Sequence, residues 1–189
     1  MVAWMVRHAQ SPRDTTSCNA DIPSVLINNA GIAPIPPSDD PDHTQLRETY
    51  SSTLNTNLTS VALLTSLSIP LLLASTSPRV INISSGRASV HALTTGNLPP
   101  TVSIPYSISK VALNILGLEL AKLYPRVAFY AANPGHCKTA LNGFKGVRDP
   151  DEGVKVVVEL ALAPPQRPEV FQPGFWRWDE KEGMEKIEW

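Results

Sequence analysis

Apolar residues along this chain fall into three short and nearly continuous runs. They occupy residues 24–31, 79–85 and 126–135, with the sequences SVLINNAG, RVINISS and RVAFYAANPG. Apolar runs of this length, closed by small or polar residues, are typical of strands that are buried on both faces of a parallel sheet. The pattern therefore predicts three buried strands, each of which stops at a turn.

The segments between these runs carry apolar residues at helical spacing. Residues 43–75 predict a long helix that Pro70 should kink or interrupt. Residues 106–123 predict a second helix, and residues 149–162 a third, which begins with acidic residues that suit the positive end of its dipole. We expect residues 86–104 to form a loop.

The last part of the chain predicts a strand or hairpin at EVFQPGFW, followed by an acid-rich tail, WDEKEGMEKIEW. We expect this tail to be solvated at the surface, with its tryptophans placed to wall a substrate pocket or a dimer contact.

The alternation of strands and helices predicts an α/β protein with a parallel sheet. We expect one domain over residues 1–189, with a partial Rossmann-like three-layer fold. Ligands of such sheets bind beyond the carboxyl ends of the strands. The small and polar clusters that close the three runs lie at that edge, which is where a site is predicted.

Composition limits the classes of partner. The chain has 189 residues, of which 42% are hydrophobic and 17% charged, and its net charge is −1. These values predict a soluble, cytoplasmic globular protein without a nucleic-acid or membrane partner. Cys18 and Cys137 are expected to be free thiols. His91 and His136 have no second ligand at a useful spacing, so no metal site is predicted.

Tyr106 and Lys110 are the residues with the clearest chemical meaning. Positions four apart on a helix share one face. A free tyrosine, with a pKa of about 10, is a poor acid at neutral pH, and a nearby ammonium favours its ionised form. We therefore expect Lys110 to lower the pKa of Tyr106, which would then give a proton to a developing alkoxide.

Together these residues resemble the catalytic part of the short-chain dehydrogenase/reductase family. Tyr106 and Lys110 match its Y-x-x-x-K motif. Ser85 corresponds to its catalytic serine, which the resemblance implies would hold the substrate oxygen by a hydrogen bond. Asn57 falls where the family places an asparagine that holds a water for proton relay. Each match is weak alone. Their joint occurrence in the family's order identifies the resemblance over residues 24–140.

The resemblance also implies cofactor contacts. Asn28, Asn29, Ala30 and Gly31 match the N-N-A-G motif under the adenine ribose. Tyr106 and Lys110 would contact the cofactor ribose. The family's P-G-x-x-x-T segment, which contacts the nicotinamide end, is matched by Pro134, Gly135, Cys137 and Thr139. NADP is the expected cofactor, with NAD as the alternative.

The implied function is an NAD(P)H-dependent oxidoreductase that reduces a ketone, or oxidises an alcohol, on a small metabolite. The segments NPGHCKT and GVRDPDEG and the Trp-rich end favour the carbonyl-reducing members of fungal natural-product pathways. The partner would be a small carbonyl or alcohol substrate, and a homo-oligomer is allowed.

The sequence departs from the family in two places. Residues 91–103 lengthen the spacing from Ser85 to Tyr106, and we expect an inserted loop there that shapes substrate entry. The glycine-rich turn T-G-x-x-x-G-x-G is missing, because no glycine precedes Gly31. Only 23 residues precede the first run, whereas one βαβ unit takes roughly 30. We therefore expect the fold to lack the family's first strands.

A sheet without those strands would expose one edge of the 24–31 run. Exposed apolar edges invite pairing. We expect MVAWMVRH to cover part of this edge. Marginal stability, dimerisation through the edge and an incomplete gene sequence are the open explanations.

Two other functions stay open. One is a non-redox remnant that acts as a binding or scaffold protein. The other is a cofactor-independent isomerase or cyclase that uses the pair Tyr106 and Lys110.

Overall fold

A computed structural model describes residues 3–7, 23–163 and 173–189. Within these ranges, six strands form one sheet in sequence order: β1 (Ala3–Arg7), β2 (Pro23–Asn28), β3 (Arg79–Ile83), β4 (Ala128–Asn133), β5 (Gly174–Asp179) and β6 (Gly183–Ile187). Strands β2 to β5 are parallel, and β1 and β6 add antiparallel edges. The predicted α/β class and its parallel sheet are confirmed.

Strand β1 covers the outer edge of β2, as expected for the first residues of the chain. It pairs antiparallel with β2, with Ala3 opposite Asn28 and Met5 opposite Leu26. The backbone groups on that edge of β2 are therefore paired with β1.

Two helices joined by a π-helical segment lead from β2 to β3. They are α1 (Thr44–Leu54), the π segment (Asn55–Thr59) and α2 (Ser60–Leu72). The expected break at Pro70 is wrong, because α2 continues through Pro70 and ends two residues later. A proline this close to the end of a helix removes a hydrogen bond only in the last turn. The irregularity lies instead in the π segment, where a turn contains one extra residue.

The remaining helices within the described ranges are α3 (Val90–Thr94), α4 (Ile104–Leu123), α5 (Pro150–Gly153) and α6 (Lys155–Leu162). Helix α3 corrects the expectation that residues 86–104 are all loop. Its start is fixed by Ser89, whose Oγ accepts a hydrogen bond of 3.0 Å from the backbone N–H of Ala92. In this part of the chain, no helix has both the length and the apolar character needed to cross a bilayer.

Core side chains cover both faces of the sheet. One face packs against α6 through Val25, Ile81, Tyr130, Val156 and Leu160. The other packs against α2 and α4 through Leu26, Val80, Phe129, Leu72 and Leu120. Neighbouring residues of each central strand belong to opposite clusters, as the alternation of side chains along a strand requires. The result is the expected three-layer arrangement.

The end of the chain forms a hairpin, which corrects the expectation of a solvated tail. Strand β6 pairs antiparallel with β5, with Trp176 opposite Lys186. The Trp189 ring stacks on Phe175 with 5.5 Å between ring centroids. Ile187 and Trp189 pack against a buried cluster that includes Phe175. Because most of the neighbouring residues are charged, this alternation of apolar and charged positions is easily missed in the sequence.

Candidate active site

The carboxyl ends of β2, β3 and β4 meet at one edge of the sheet because these strands are parallel neighbours. Strand β2 ends at Asn28, β3 at Ile83 and β4 at Asn133. The turns that follow contain the predicted residues 29–31, 85 and 134–139, and α4, which carries Tyr106 and Lys110, passes close to the turn after β3. The predicted location of the site is therefore the place where these residues assemble.

Ser85 and Tyr106 meet at this edge. Ser85 follows β3 in extended conformation, with φ −160° and ψ 152°, and its side chain lies close enough to Tyr106 to influence the pKa of the phenol. Tyr106 lies in the first turn of α4 and is half-buried. A serine and a tyrosine hydroxyl side by side can both face one substrate oxygen.

The pKa of Tyr106 moves in the direction opposite to the expected one. Burial raises this pKa, and the hydrogen bond from Ser85 lowers it by a smaller amount. The Lys110 Nζ lies 5.7 Å from the centroid of the Tyr106 ring. Sequence spacing shows that these groups are close, whereas the larger effect of burial depends on the tertiary structure. Tyr106 is therefore held protonated at neutral pH.

Lys110 is a buried cation with little compensation. It is 4% exposed, and its Nζ donates to the Ile83 carbonyl oxygen at 2.7 Å. Burial lowers the pKa of Lys110 to about 8. The ammonium group of Lys110 can donate three hydrogen bonds. Among the described residues, the Ile83 carbonyl is the one acceptor that it contacts.

Asn57 lies in the π segment and clamps the loop after β2. Its Oδ1 accepts a hydrogen bond of 2.8 Å from the Ile32 N–H, and its Nδ2 donates to the Ile32 carbonyl at 2.8 Å. The same Nδ2 donates to Ser109 Oγ at 3.0 Å. Ser109 in turn donates to the Tyr106 carbonyl at 2.7 Å. The Asn57 amide therefore connects this loop to α4, while a part in proton relay stays a prediction.

The predicted residues Asn29, Ala30 and Gly31 follow β2, and the loop that they begin reaches Asn57 and Lys110. A Cβ placed on Gly31 would lie 3.5 Å from both Asn57 Oδ1 and Lys110 Nζ. Asn29 is exposed, and Ala30 and Gly31 are partly exposed. This loop thus borders the buried ammonium, in keeping with a ligand-facing surface.

The segment Pro134 to Thr139 follows β4 and is tied to Arg148. The Lys138 N–H donates to the Arg148 carbonyl at 2.9 Å. Gly135 has a φ of +82°, which favours glycine, and a Cβ there would lie 3.2 Å from Arg148 Cδ.

Cys137 lies in the same segment and is a free, half-buried thiol. Its Sγ donates to the Pro134 carbonyl at 3.3 Å, and burial raises its pKa. Both features fit a packing residue better than a nucleophile. Cys18 lies outside the described residues.

Three polar residues that join these pieces are not among the site residues predicted from the sequence. They are Ser84, Ser109 and Asn114. Asn114 follows Lys110 by four residues, so helical spacing alone could have indicated it. The partner of Asn114 is Ser84, which lies 30 residues earlier in the chain, and only the fold identifies it.

Comparisons with known proteins agree with this arrangement. The short chain dehydrogenase family profile matches residues 22–148. A short-chain dehydrogenase/reductase of Aspergillus fumigatus is 34% identical over 149 residues, which cover 72% of this chain and 56% of the relative. The short-chain dehydrogenase anuI of Penicillium roqueforti is 34% identical over 145 residues, with the same coverage. The chain thus spans little more than half the length of these relatives.

Solved structures show the same fold. The carbonyl reductase Sniffer of D. melanogaster superposes with a TM-score of 0.65 and 26% identity, covering 87% of this chain and 66% of that chain. The NADPH-bound carbonyl reductase from chicken fatty liver gives a TM-score of 0.64 and 26% identity, covering 86% and 64%.

Proposed function

Because the chain belongs to the short-chain dehydrogenase/reductase family, we propose that it carries the catalytic residues of an NADPH-dependent carbonyl reductase. The reaction is the reduction of a ketone, or the reverse oxidation of an alcohol, on a small metabolite. The contact of Ser85 with Tyr106, beside the buried Lys110, is the observation that carries this proposal.

The residues present fit one end of a nicotinamide nucleotide. Lys110 Nζ is buried and has one acceptor among the described residues, so it has donors left for ribose hydroxyls. Gly31 adds no side chain beside that nitrogen. We assign no residues to the cofactor phosphates, because the glycine-rich turn that binds them in the family is not found before Gly31. We therefore assign the ribose end to Tyr106 and Lys110, and the nicotinamide end to Pro134, Gly135, Cys137 and Thr139.

The chain's own residues supply orientation and a proton. When bound, the cofactor supplies the hydride. Ser85 holds the substrate oxygen, and the Tyr106 hydroxyl donates its proton to that oxygen as negative charge develops there. The raised pKa of Tyr106 keeps this proton in place until charge appears. Asn57 holds the adjoining loop against α4, and its place in a proton relay belongs to the proposal.

Two comparisons support the choice of substrate and cofactor. The chicken carbonyl reductase is NADPH-bound, which favours NADPH over NADH here. The relatives in Aspergillus fumigatus and Penicillium roqueforti are fungal short-chain dehydrogenases, in keeping with the fungal natural-product substrate expected from the sequence.

The test begins with purified protein titrated with NADPH and, separately, with NADH, while the melting temperature is followed. A nucleotide at 100 times its dissociation constant should stabilise the fold by about 2.7 kcal/mol. Turnover is then measured on a panel of ketones. Tyr106→Phe should abolish turnover and weaken nucleotide binding without abolishing it, because Lys110 remains for the ribose, whereas the control Tyr124→Phe, at the far end of α4, should leave both unchanged.

The proposal would be overturned by the absence of any shift with millimolar NADPH or NADH, or by full turnover in Tyr106→Phe. An isomerisation without nucleotide that is lost in Tyr106→Phe would support the cofactor-independent enzyme instead. Nucleotide binding without turnover of any substrate would support the non-redox binding or scaffold protein.

A further inference from the structure

Three side chains on one face of α4 each contact one of three consecutive residues at the end of β3. The helix residues are spaced four apart, which places them in line. The contacts are Tyr106 with the Ser85 side chain, Lys110 Nζ with the Ile83 carbonyl at 2.7 Å, and Asn114 Oδ1 with Ser84 Oγ at 2.6 Å. The first two contacts belong to the site already described, and the third has no role in it.

The third contact fixes the residue that precedes Ser85. Ser84 and Asn114 are buried, with 3% and 4% exposure. The Ser84 N–H donates to the Ala132 carbonyl on β4 at 2.8 Å, and its hydroxyl donates to Asn114 on α4. Ser84 is thus held by β4 on one side and by α4 on the other. Because Ser85 is the next residue, its position depends on that of Ser84.

The amide of Asn114 is only half used. Its Nδ2 is buried and has no hydrogen-bond partner among the described residues. An unsatisfied buried donor costs about 1–3 kcal/mol. An apolar residue of similar size would avoid this cost, so what asparagine provides at this position is the acceptor oxygen for Ser84.

We propose that Asn114 is a positioning residue that holds Ser84 and thereby keeps the Ser85 hydroxyl within reach of Tyr106. The inference rests on the proposed function, because it assigns Ser85 to the catalytic site. Asn114 acts through Ser84 and contacts neither substrate nor cofactor in this role.

The first experiment needs no turnover. Tyrosine labelled at Cζ reports the hydrogen bonding of each phenol by NMR, and Tyr106→Phe identifies the Tyr106 resonance. Ser85→Ala should move this resonance by removing its hydrogen-bond partner. Asn114→Ala and Ser84→Ala should move it in the same direction. The control is Ser107→Ala, which removes a buried α4 hydroxyl that has no partner among the described residues, and it should leave the resonance in place.

The second experiment measures kinetics. Asn114→Ala should lower kcat by about tenfold and leave the KM for NADPH within about twofold, since a displaced serine affects the reacting geometry more than nucleotide binding. The double variant Ser84→Ala/Asn114→Ala should be no slower than the slower single variant, because both substitutions break the same bond.

An unchanged Tyr106 resonance in Asn114→Ala overturns the inference. A decrease in the kcat of the double variant equal to the product of the two single decreases also overturns it. Should Asn114→Ala fail to fold, Ser84→Ala decides the matter alone, since it removes one hydroxyl group. A wild-type protein that neither binds nor uses nucleotide would reject the proposed function, while the NMR comparison would still decide the role of Asn114.

Discussion

Two buried cations lie at opposite ends of strand β3 and are treated differently by the fold. Arg79, at the amino end, is 1% exposed and donates to the Ser77 hydroxyl and to the carbonyls of Leu160, Ala161 and Ala163. Lys110, at the carboxyl end, is 4% exposed and reaches the Ile83 carbonyl alone among the described residues.

The difference is the one that the proposed function requires, with Arg79 as a structural charge and Lys110 as a ligand-binding one. Arg79 caps the C-terminal end of α6, where carbonyl groups lack partners within the helix. Lys110 keeps unfilled donors at the edge where ligands of such sheets bind. Burial lowers the pKa of both groups, but among the described residues Arg79 donates at least four hydrogen bonds and Lys110 donates one. Unfilled donors on a buried cation therefore indicate a binding role.

The largest expected effect comes from Lys110→Met. Turnover with NADPH should fall by about a thousandfold, within the range of positioned acid–base groups. The free energy of unfolding at neutral pH should not fall, because the substitution removes a poorly compensated buried charge. Steady-state kinetics and urea unfolding measure the two quantities. Wild-type turnover in this variant would make Lys110 a structural cation like Arg79.

Arg79→Met should give the reverse result. Removing the guanidinium leaves the α6 carbonyls unpaired, and we expect the free energy of unfolding to fall by about 3 kcal/mol. Turnover per folded molecule should be unchanged. The matched control is Lys122→Met, an exposed α4 cation paired with Glu119, which should change stability by about 0.5 kcal/mol or less. Equal losses in both variants would contradict the capping role.

The pH dependence of stability should follow Lys110. The pKa of Lys110 is about 8 in the folded protein and near 10.5 in the unfolded chain. Between these pH values the unfolded chain therefore binds more protons than the folded protein. Stability of the wild type therefore rises relative to Lys110→Met as the pH increases through this window. The gap should change by about 2.5 kcal/mol between pH 7 and 10. Urea unfolding of both proteins across this range measures it, and a constant gap would show that the Lys110 pKa is not lowered.

The smallest effect is expected for a cation that is exposed. Arg177 Nε lies 2.6 Å from Glu185 Oε2 on the C-terminal hairpin. Glu185→Gln should cost about 0.5 kcal/mol or less, since solvent screens such pairs. Thermal unfolding at low and high salt would detect it. A loss as large as that of Arg79→Met would mean that burial is not what separates these charges.

The central strands were predictable from sequence because their apolar runs are local signals. Strand β3 begins at Arg79, where the 79–85 run begins, and α4 begins two residues before Tyr106. The predicted runs extend a few residues beyond the strand ends, because the small residues of the turns cannot be told from buried strand residues by pattern. The motif residues Gly31, Ser85 and Gly135 were predictable for the same reason, because each follows a strand end that the pattern defines. Tyr106 and Lys110 were predictable from their helical spacing.

The remaining features depend on distant contacts. Helix α3 has only five residues, which is too short for a periodic signal. The bond from Ser84 to Asn114 and the capping by Arg79 join residues far apart in sequence. The pKa of Tyr106 shows the limit most clearly. Its spacing from Lys110 favours a lowered pKa, and the burial that raises it is visible only in the fold.

The π segment holds one residue more than an ordinary helical turn. Deleting one residue from Asn55–Thr59 would leave a regular α-helical turn, so α1 and α2 would keep their faces and Thr49 and Thr53 would stay buried. The deletion would instead displace Asn57, whose amide holds Ile32 and Ser109. Over evolutionary time, the extra residue should therefore persist for the sake of the loop after β2, since the packing of the two helices does not require it.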